Sequence, residues 1–200
     1  FIFCLITLYW VGAFTEARDP YLLVAGFALL LFNPLLFLIP STLFYFTKKY
    51  FNKKIAFLFF PIFWVTYEYA YMITDASFPW LTLANSFTTF ITYIQLAEII
   101  GALGISLLII FTNVFIFFAI KNYIETKKIF SSNLVIAILL IILPLIYGAF
   151  QLSNYQLSDK NIKIGVVQPN LDPYEKWSGG DLNQITNLYL NLSDEVVKDG

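Results

Sequence analysis

Five apolar stretches, divided by short loops of alternating charge, constrain this chain more than any other feature. About 20 apolar residues cross roughly 30 Å of hydrocarbon, and inside it backbone polar groups must be bonded internally, so each stretch reads as a helix. The first, Phe1 to Phe14, is short and consistent with a truncated span; the others are Tyr21 to Phe46, Ile55 to Ile73, Ile91 to Ile120 and Leu134 to Phe150. Pro34 and Pro40 fall inside the second and are expected as kinks. Gly101 and Gly104 in the fourth mark a bend or a close helix contact between a short leading segment and the span proper. Apolar residues make up 59 % of the chain and charged ones 12 %, about half the usual charge of a soluble domain. The expected fold class is mainly α, a polytopic transmembrane helix bundle over residues 1–151.

The loops give the orientation. Thr47 to Lys54 carries Lys48, Lys49, Lys53 and Lys54, and Lys121 to Lys128 carries three lysines against Glu125. Thr15 to Pro20 has one arginine against two acids, and Thr74 to Ser86 has only Asp75. The positive-inside rule puts the lysine loops in the cytoplasm, so the Asp75 loop and everything after Phe150 face the other side. Alternation and charge agree at every loop.

After a linker over residues 152–161 the pattern changes. Ile162, Ile164, Val166 and Val167 form a β-branched run ending at Gln168, which reads as a buried strand. Pro169, Asn170, Asp172 and Pro173 make a turn-rich loop, followed by Glu175, Lys176, Trp177 and a Gly179-Gly180 break. Asp181 is placed to cap a helix with Gln184 in the capping-box position, and Leu182, Ile185, Leu188, Tyr189, Leu192 and Val196 recur at helical spacing. This is a β-loop-α unit over residues 162–200, too small to bury its strand alone, so the chain reads as an internal fragment whose extracytoplasmic domain is cut off. Its seven acids against four lysines from Gln151 onward suit that side.

Several chemistries are excluded. The net charge of -1 and the lack of a basic, aromatic-interleaved stripe argue against nucleic acid. There is no histidine, hence no histidine triad or histidine metal site in these residues, and no metal or cofactor is expected. Cys4, among Phe and Leu, reads as a small hydrophobe. Glu68 is an acid within an apolar stretch, costly unless it faces the bundle interior with a partner, so it reads as a functional or structural pin. Phe78-Pro79-Trp80 reads as an aromatic anchor at the membrane interface or as part of a site. Glu98 reads as an interfacial acid, and Trp10, Tyr67, Tyr69 and Tyr71 as interfacial or bundle aromatics.

Taken together, Trp64-x-x-x-Glu68, Phe78-Pro79-Trp80-Leu81, Gly101-x-x-Gly104-x-Ser106, Val166-Val167-Gln168-x-Asn170 and Lys176-Trp177 resemble the bacterial apolipoprotein N-acyltransferase family, in order and across the chain. Two positions depart from the family pattern: Tyr71 stands where an arginine is usual, and Ala84-Asn85 where Gly-Tyr is frequent. The resemblance implies that residues 162–200 begin a carbon-nitrogen hydrolase (nitrilase-like) αββα domain on the periplasmic side of a bacterial inner membrane. It also implies acyl transfer through a Glu-Lys-Cys triad that lies beyond Gly200, from a phospholipid donor to the amine of a diacylglyceryl-modified lipoprotein. Within the chain it implies a lipid-contact role for Trp177 and, on the same side, for Phe78 and Trp80, while Glu68 keeps no assigned catalytic role. A non-catalytic transport or scaffold bundle and a membrane-tethered amidase stand as alternatives.

Overall fold

The computed structural model describes residues 1–12, 20–75, 77–156, 164–171 and 181–198. They divide into two units, Phe1–Tyr155 and Gln156–Gly200.

The first unit is a bundle of helices: α1 (Ile2–Leu8), α2 (Pro20–Leu36), α3 (Leu38–Tyr50), α4 (Lys53–Met72), α5 (Ile91–Ile94), α6 (Ala97–Thr126) and α7 (Ser132–Asn154). Four apolar helical segments are long enough to cross a membrane: Pro20–Tyr50, Lys53–Met72, Ala97–Thr126 and Ser132–Asn154. The first apolar stretch forms α1 and a 3-10 turn, Tyr9–Gly12, and its helical part is too short to span. The chain is thus a multi-pass membrane protein, mainly α.

Local sequence sets the ends of these helices. Asn52 is extended and its side chain accepts from the Ile55 N–H at 2.9 Å, starting α4. Ser131 does the same for α7 through the Leu134 N–H at 3.3 Å. α6 stops where Lys127 turns left-handed at φ 60° and its N–H returns to the Tyr123 carbonyl at 2.8 Å. Within the helices, Thr7, Ser41, Thr47 and Thr112 donate their hydroxyls to the carbonyl four residues back, which satisfies these four donors inside their own helices.

The expected proline kinks in the second stretch become a break: α2 ends at Leu36, Phe37 joins it, and α3 starts at Leu38. Pro34 takes a helical N–H out of the last turn of α2, and Pro40 sits in the first turn of α3, where that N–H is dispensable. In the fourth stretch the bend falls at Gly101, with φ 68° and ψ 176° inside α6. Across that bend, a Cβ at Gly104 would run into the Ile100 side chain, so the leading segment and the span proper approach closely there, as expected. A further close approach lies at Gly148, where a Cβ would run into the Thr92 carbonyl of α5. α3 packs on α4, α4 on α6, and α7 on both α5 and α6. Small buried residues, Ala56, Ala119 and Ala137, serve these contacts, as membrane helices require when no water drives them together.

In the second unit, residues 164–171 carry no regular secondary structure, which corrects the expected strand over 162–168 for its described part. Ile164 and Val166 are 79 % and 80 % exposed. A strand exists only through its ladder partners, and the described residues contain no second strand to pair with it. The expected helix is present as α8 (Leu182–Lys198). Asp181 caps it, its Oδ1 accepting from the Asn183 N–H at 2.9 Å. Gly165 lies so close to α8 that a Cβ would strike Val196.

Candidate functional site

The site is built where α4 meets the loop that follows it. Glu68, about one turn from the end of α4, is only 3 % exposed. Its Oε1 accepts from the Trp64 indole N–H at 3.0 Å, one turn back, and from the Leu83 backbone N–H at 2.9 Å. The i, i+4 spacing brings Trp64 under the carboxylate; the loop supplies the other donor. The second oxygen, Oε2, is buried with no hydrogen-bond partner among the described residues.

The loop itself is two 3-10 turns, Pro79–Leu81 and Leu83–Phe87. Its second anchor is on α6, where Ser106 Oγ, fully buried, accepts from the Ala84 N–H at 3.1 Å. Of the residues that depart from the family pattern, the two in this loop are both used: Ala84 is buried at 7 %, and the Asn85 amide donates to the Pro79 carbonyl at 2.9 Å, closing the turn. Glu68 and Ser106 therefore staple consecutive backbone N–H groups of one loop to two different membrane helices.

This clamp positions Trp80. Its side chain is 63 % exposed, and its ring meets Trp10 edge-on with centroids 5.7 Å apart. Phe78 is half-buried. Trp10, Trp80 and Leu8 share a cavity of about 340 Å³ with Thr7, Asn85 and Ser86, so its lining combines apolar side chains with hydroxyls and an amide. Such a lining suits a molecule with an apolar body and a polar, uncharged region.

The structure brings Glu68 together with the loop of Phe78 and Trp80. Trp177 lies outside the described residues. Tyr71 does not reach Glu68: its hydroxyl donates to Asn33 Oδ1 at 3.3 Å, tying α4 to α2. Asn33 is 1 % exposed, and its amide N–H donates to the Leu29 carbonyl at 3.2 Å. Sequence reasoning missed Asn33, although an amide inside an otherwise apolar stretch beside Pro34 was a signal of the same kind as Glu68. Cys4 is buried in α1. Glu98, exposed, accepts from the Gln151 amide at 3.0 Å, linking α6 to α7. Among the described residues no group of three or more His, Cys, Asp or Glu side chains is placed to hold a metal ion.

Fold and site together define a multi-pass helical membrane protein with a buried carboxylate clamping an interfacial aromatic loop. Residues 1–115 match the apolipoprotein N-acyltransferase N-terminal domain. The chain belongs to the apolipoprotein N-acyltransferase family. It is 30 % identical over 200 residues to the apolipoprotein N-acyltransferase of Chlorobaculum tepidum, covering 98 % of this chain and 36 % of that protein. Similarity to the enzyme of Geobacter metallireducens is 26 % over 198 residues, 96 % of this chain and 38 % of that one. With the Rickettsia bellii enzyme it is 28 % over 146 residues, 72 % of this chain and 28 % of that one. The chain thus spans about a third of the length of these relatives. No solved structure matches it.

Proposed function

We propose that the whole protein moves a fatty acyl chain from a membrane phospholipid to the N-terminal amine of a diacylglyceryl-cysteine lipoprotein, through a thioester on the enzyme. The match of residues 1–115 to the family's N-terminal domain carries this reading. In the first step a cysteine thiolate attacks the acyl ester carbonyl; the bond from that carbonyl to the glycerol oxygen breaks, and the lysophospholipid leaves with a proton. In the second the lipoprotein amine attacks the thioester, the C–S bond breaks and restores the thiolate, and a general base takes the amine's proton. A positive group stabilises the oxyanion of each step. None of these three roles falls on a residue of this chain; Cys4, Glu175 and Lys176 are not candidates.

The membrane bundle keeps two lipid substrates in the bilayer while their reacting ends meet at the surface. In this reading residues 1–151 are the bundle, 152–161 a linker and 162–200 the start of a nitrilase-like domain on the periplasmic face of the inner membrane. Phe78 and Trp80 line the access route of an acyl chain, Trp177 contacts acyl substrate in the domain's loop, and Glu68 holds the Trp80 loop in place without touching the reacting atoms.

The test is a reconstituted reaction of the whole protein with a phospholipid labelled in its acyl chain and a diacylglyceryl-cysteine peptide. The expected products are an acylated peptide and, with peptide omitted, a hydroxylamine-sensitive acyl adduct on the protein. Release of free fatty acid in place of acylated peptide would make it an amidase-like hydrolase. No turnover and no adduct would leave a scaffold bundle.

A further inference from the structure

At the opposite end of the bundle from the Trp80 loop, a cavity of about 350 Å³ opens between α4 and α6. Leu58, Phe111, Val114, Phe115 and Phe118 line its apolar part, and Lys54 and Asn133 stand at its mouth. We propose that this cleft binds one anionic phospholipid, its acyl chain between α4 and α6 and its phosphate on Lys54.

The shape fits. Stacking of Phe57 on Phe117 at 4.9 Å and its edge contact with Phe118 at 5.1 Å hold the two helices together beside the cleft. Leu58 is 54 % exposed, so the apolar wall continues out to the bilayer. The size lies within the roughly 300–1,000 Å³ of small-ligand sites. Asn133, half-buried at the start of α7, adds an amide donor on the far side of the mouth.

Charge selects the headgroup. α4 opens with Lys53 and Lys54 and has no acid in its first turn. That end of a helix carries partial positive charge, so two lysines there are unfavourable until an anion joins them. Among the described residues Lys54 makes no salt bridge, and the acid of the other lysine-rich loop, Glu125, is engaged by Lys121 at 3.5 Å. Lys48 and Lys49 at the end of α3 add to the same field. A basic mouth on an apolar interhelical cleft is the arrangement that retains an acidic lipid rather than a zwitterionic one. The site is remote from the acyl-transfer chemistry and does not depend on it.

The experiment is retention of phosphatidylglycerol against phosphatidylcholine by the whole protein in detergent, read by native mass spectrometry. The wild type is expected to keep one phosphatidylglycerol preferentially. Lys54→Gln should weaken that retention roughly fivefold, and Val114→Trp, which fills the cleft, should abolish it. Lys49→Gln, on α3 and not part of the cavity lining, should change it by less than about twofold. Equal losses for Lys49→Gln and Lys54→Gln would mean a diffuse lysine field and would overturn the site, as would wild-type retention that does not distinguish the two lipids. Should Val114→Trp fail to fold, the two surface lysine variants decide the matter alone.

Discussion

The backbone N–H of Leu83 donates to Glu68 Oε1 at 2.9 Å, so a carboxylate buried in a membrane helix holds the loop that leaves that helix. With Ser106 holding the next N–H from α6, the loop is fixed to two helices at adjacent residues. An acid in an apolar helix is costly; here part of that cost is offset by two charge-assisted hydrogen bonds. The clamp lies on backbone, so the loop's side chains are left for other contacts.

Glu68→Ala leaves the Leu83 and Trp64 N–H groups without their acceptor, a loss on the order of 1–3 kcal/mol for each buried donor. Glu68→Gln keeps one carbonyl oxygen for both and should lose much less. Thermal unfolding of the detergent-solubilised protein should therefore rank wild type above Gln and Gln well above Ala. Equal midpoints for Ala and Gln would show that the carboxylate does not hold the loop.

Trp80 is predicted to matter for turnover more than for stability. Its ring is mostly exposed and its described aromatic partner is Trp10, an edge contact of about 0.5–1.5 kcal/mol. Trp80→Ala in the whole protein should leave the unfolding midpoint within a few degrees and lower acyl transfer severalfold. Unchanged acyl transfer would remove Phe78 and Trp80 from the lipid route.

The contrast between Glu68 and its partner shows what a sequence carries. That Glu68 must be pinned was legible, because a charge among apolar residues has few tolerable environments. Its partner was not, because a backbone N–H such as that of Leu83 exists at nearly every position and has no residue signature. The long helices were legible from length and hydropathy, yet the break at Phe37 depended on how two prolines share one stretch. The β-branched run around Ile164 reads as a strand by propensity, but a strand is a property of the pair and not of the run. Tyr71 shows the same limit: its bond to Asn33 joins residues 38 apart.

Gly101 and Gly148 should both resist alanine, for different reasons. At Gly101, φ 68° and ψ 176° fall in a region open almost only to glycine, while the space for a Cβ is empty. Gly101→Ala should cost on the order of 1–3 kcal/mol in backbone strain and leave helix packing alone. At Gly148 the backbone is helical, and the added methyl meets the Thr92 carbonyl. Gly148→Ala must push α5 from α7, so it should also weaken engineered disulfide cross-linking between those two helices, a readout that Gly101→Ala leaves unchanged. The same cross-linking loss in both variants would contradict this division.

Orientation gives the last test, and it bears on every functional assignment. Lys49 and Lys128 belong to the two lysine-rich loops and Asp75 to the acidic one between them, with one long apolar helix, α4, separating Lys49 from Asp75 and another, α6, separating the Trp80 loop from Lys128. Because a membrane helix reverses the side of the chain each time it crosses, Lys49 and Lys128 must share one side and Asp75 the other. The positive-inside rule gives the sign to be tested, with the lysine side cytoplasmic in the proposed orientation. Single cysteines at Lys49, Asp75 and Lys128 should thus react with a membrane-impermeant maleimide in the order that topology dictates: Asp75→Cys in intact spheroplasts, the two lysine positions only after permeabilisation, each scored above the parent protein. Labelling of Lys49→Cys or Lys128→Cys in intact spheroplasts would invert the bundle, put the Trp80 loop in the cytoplasm and take the proposed periplasmic acyl transfer with it.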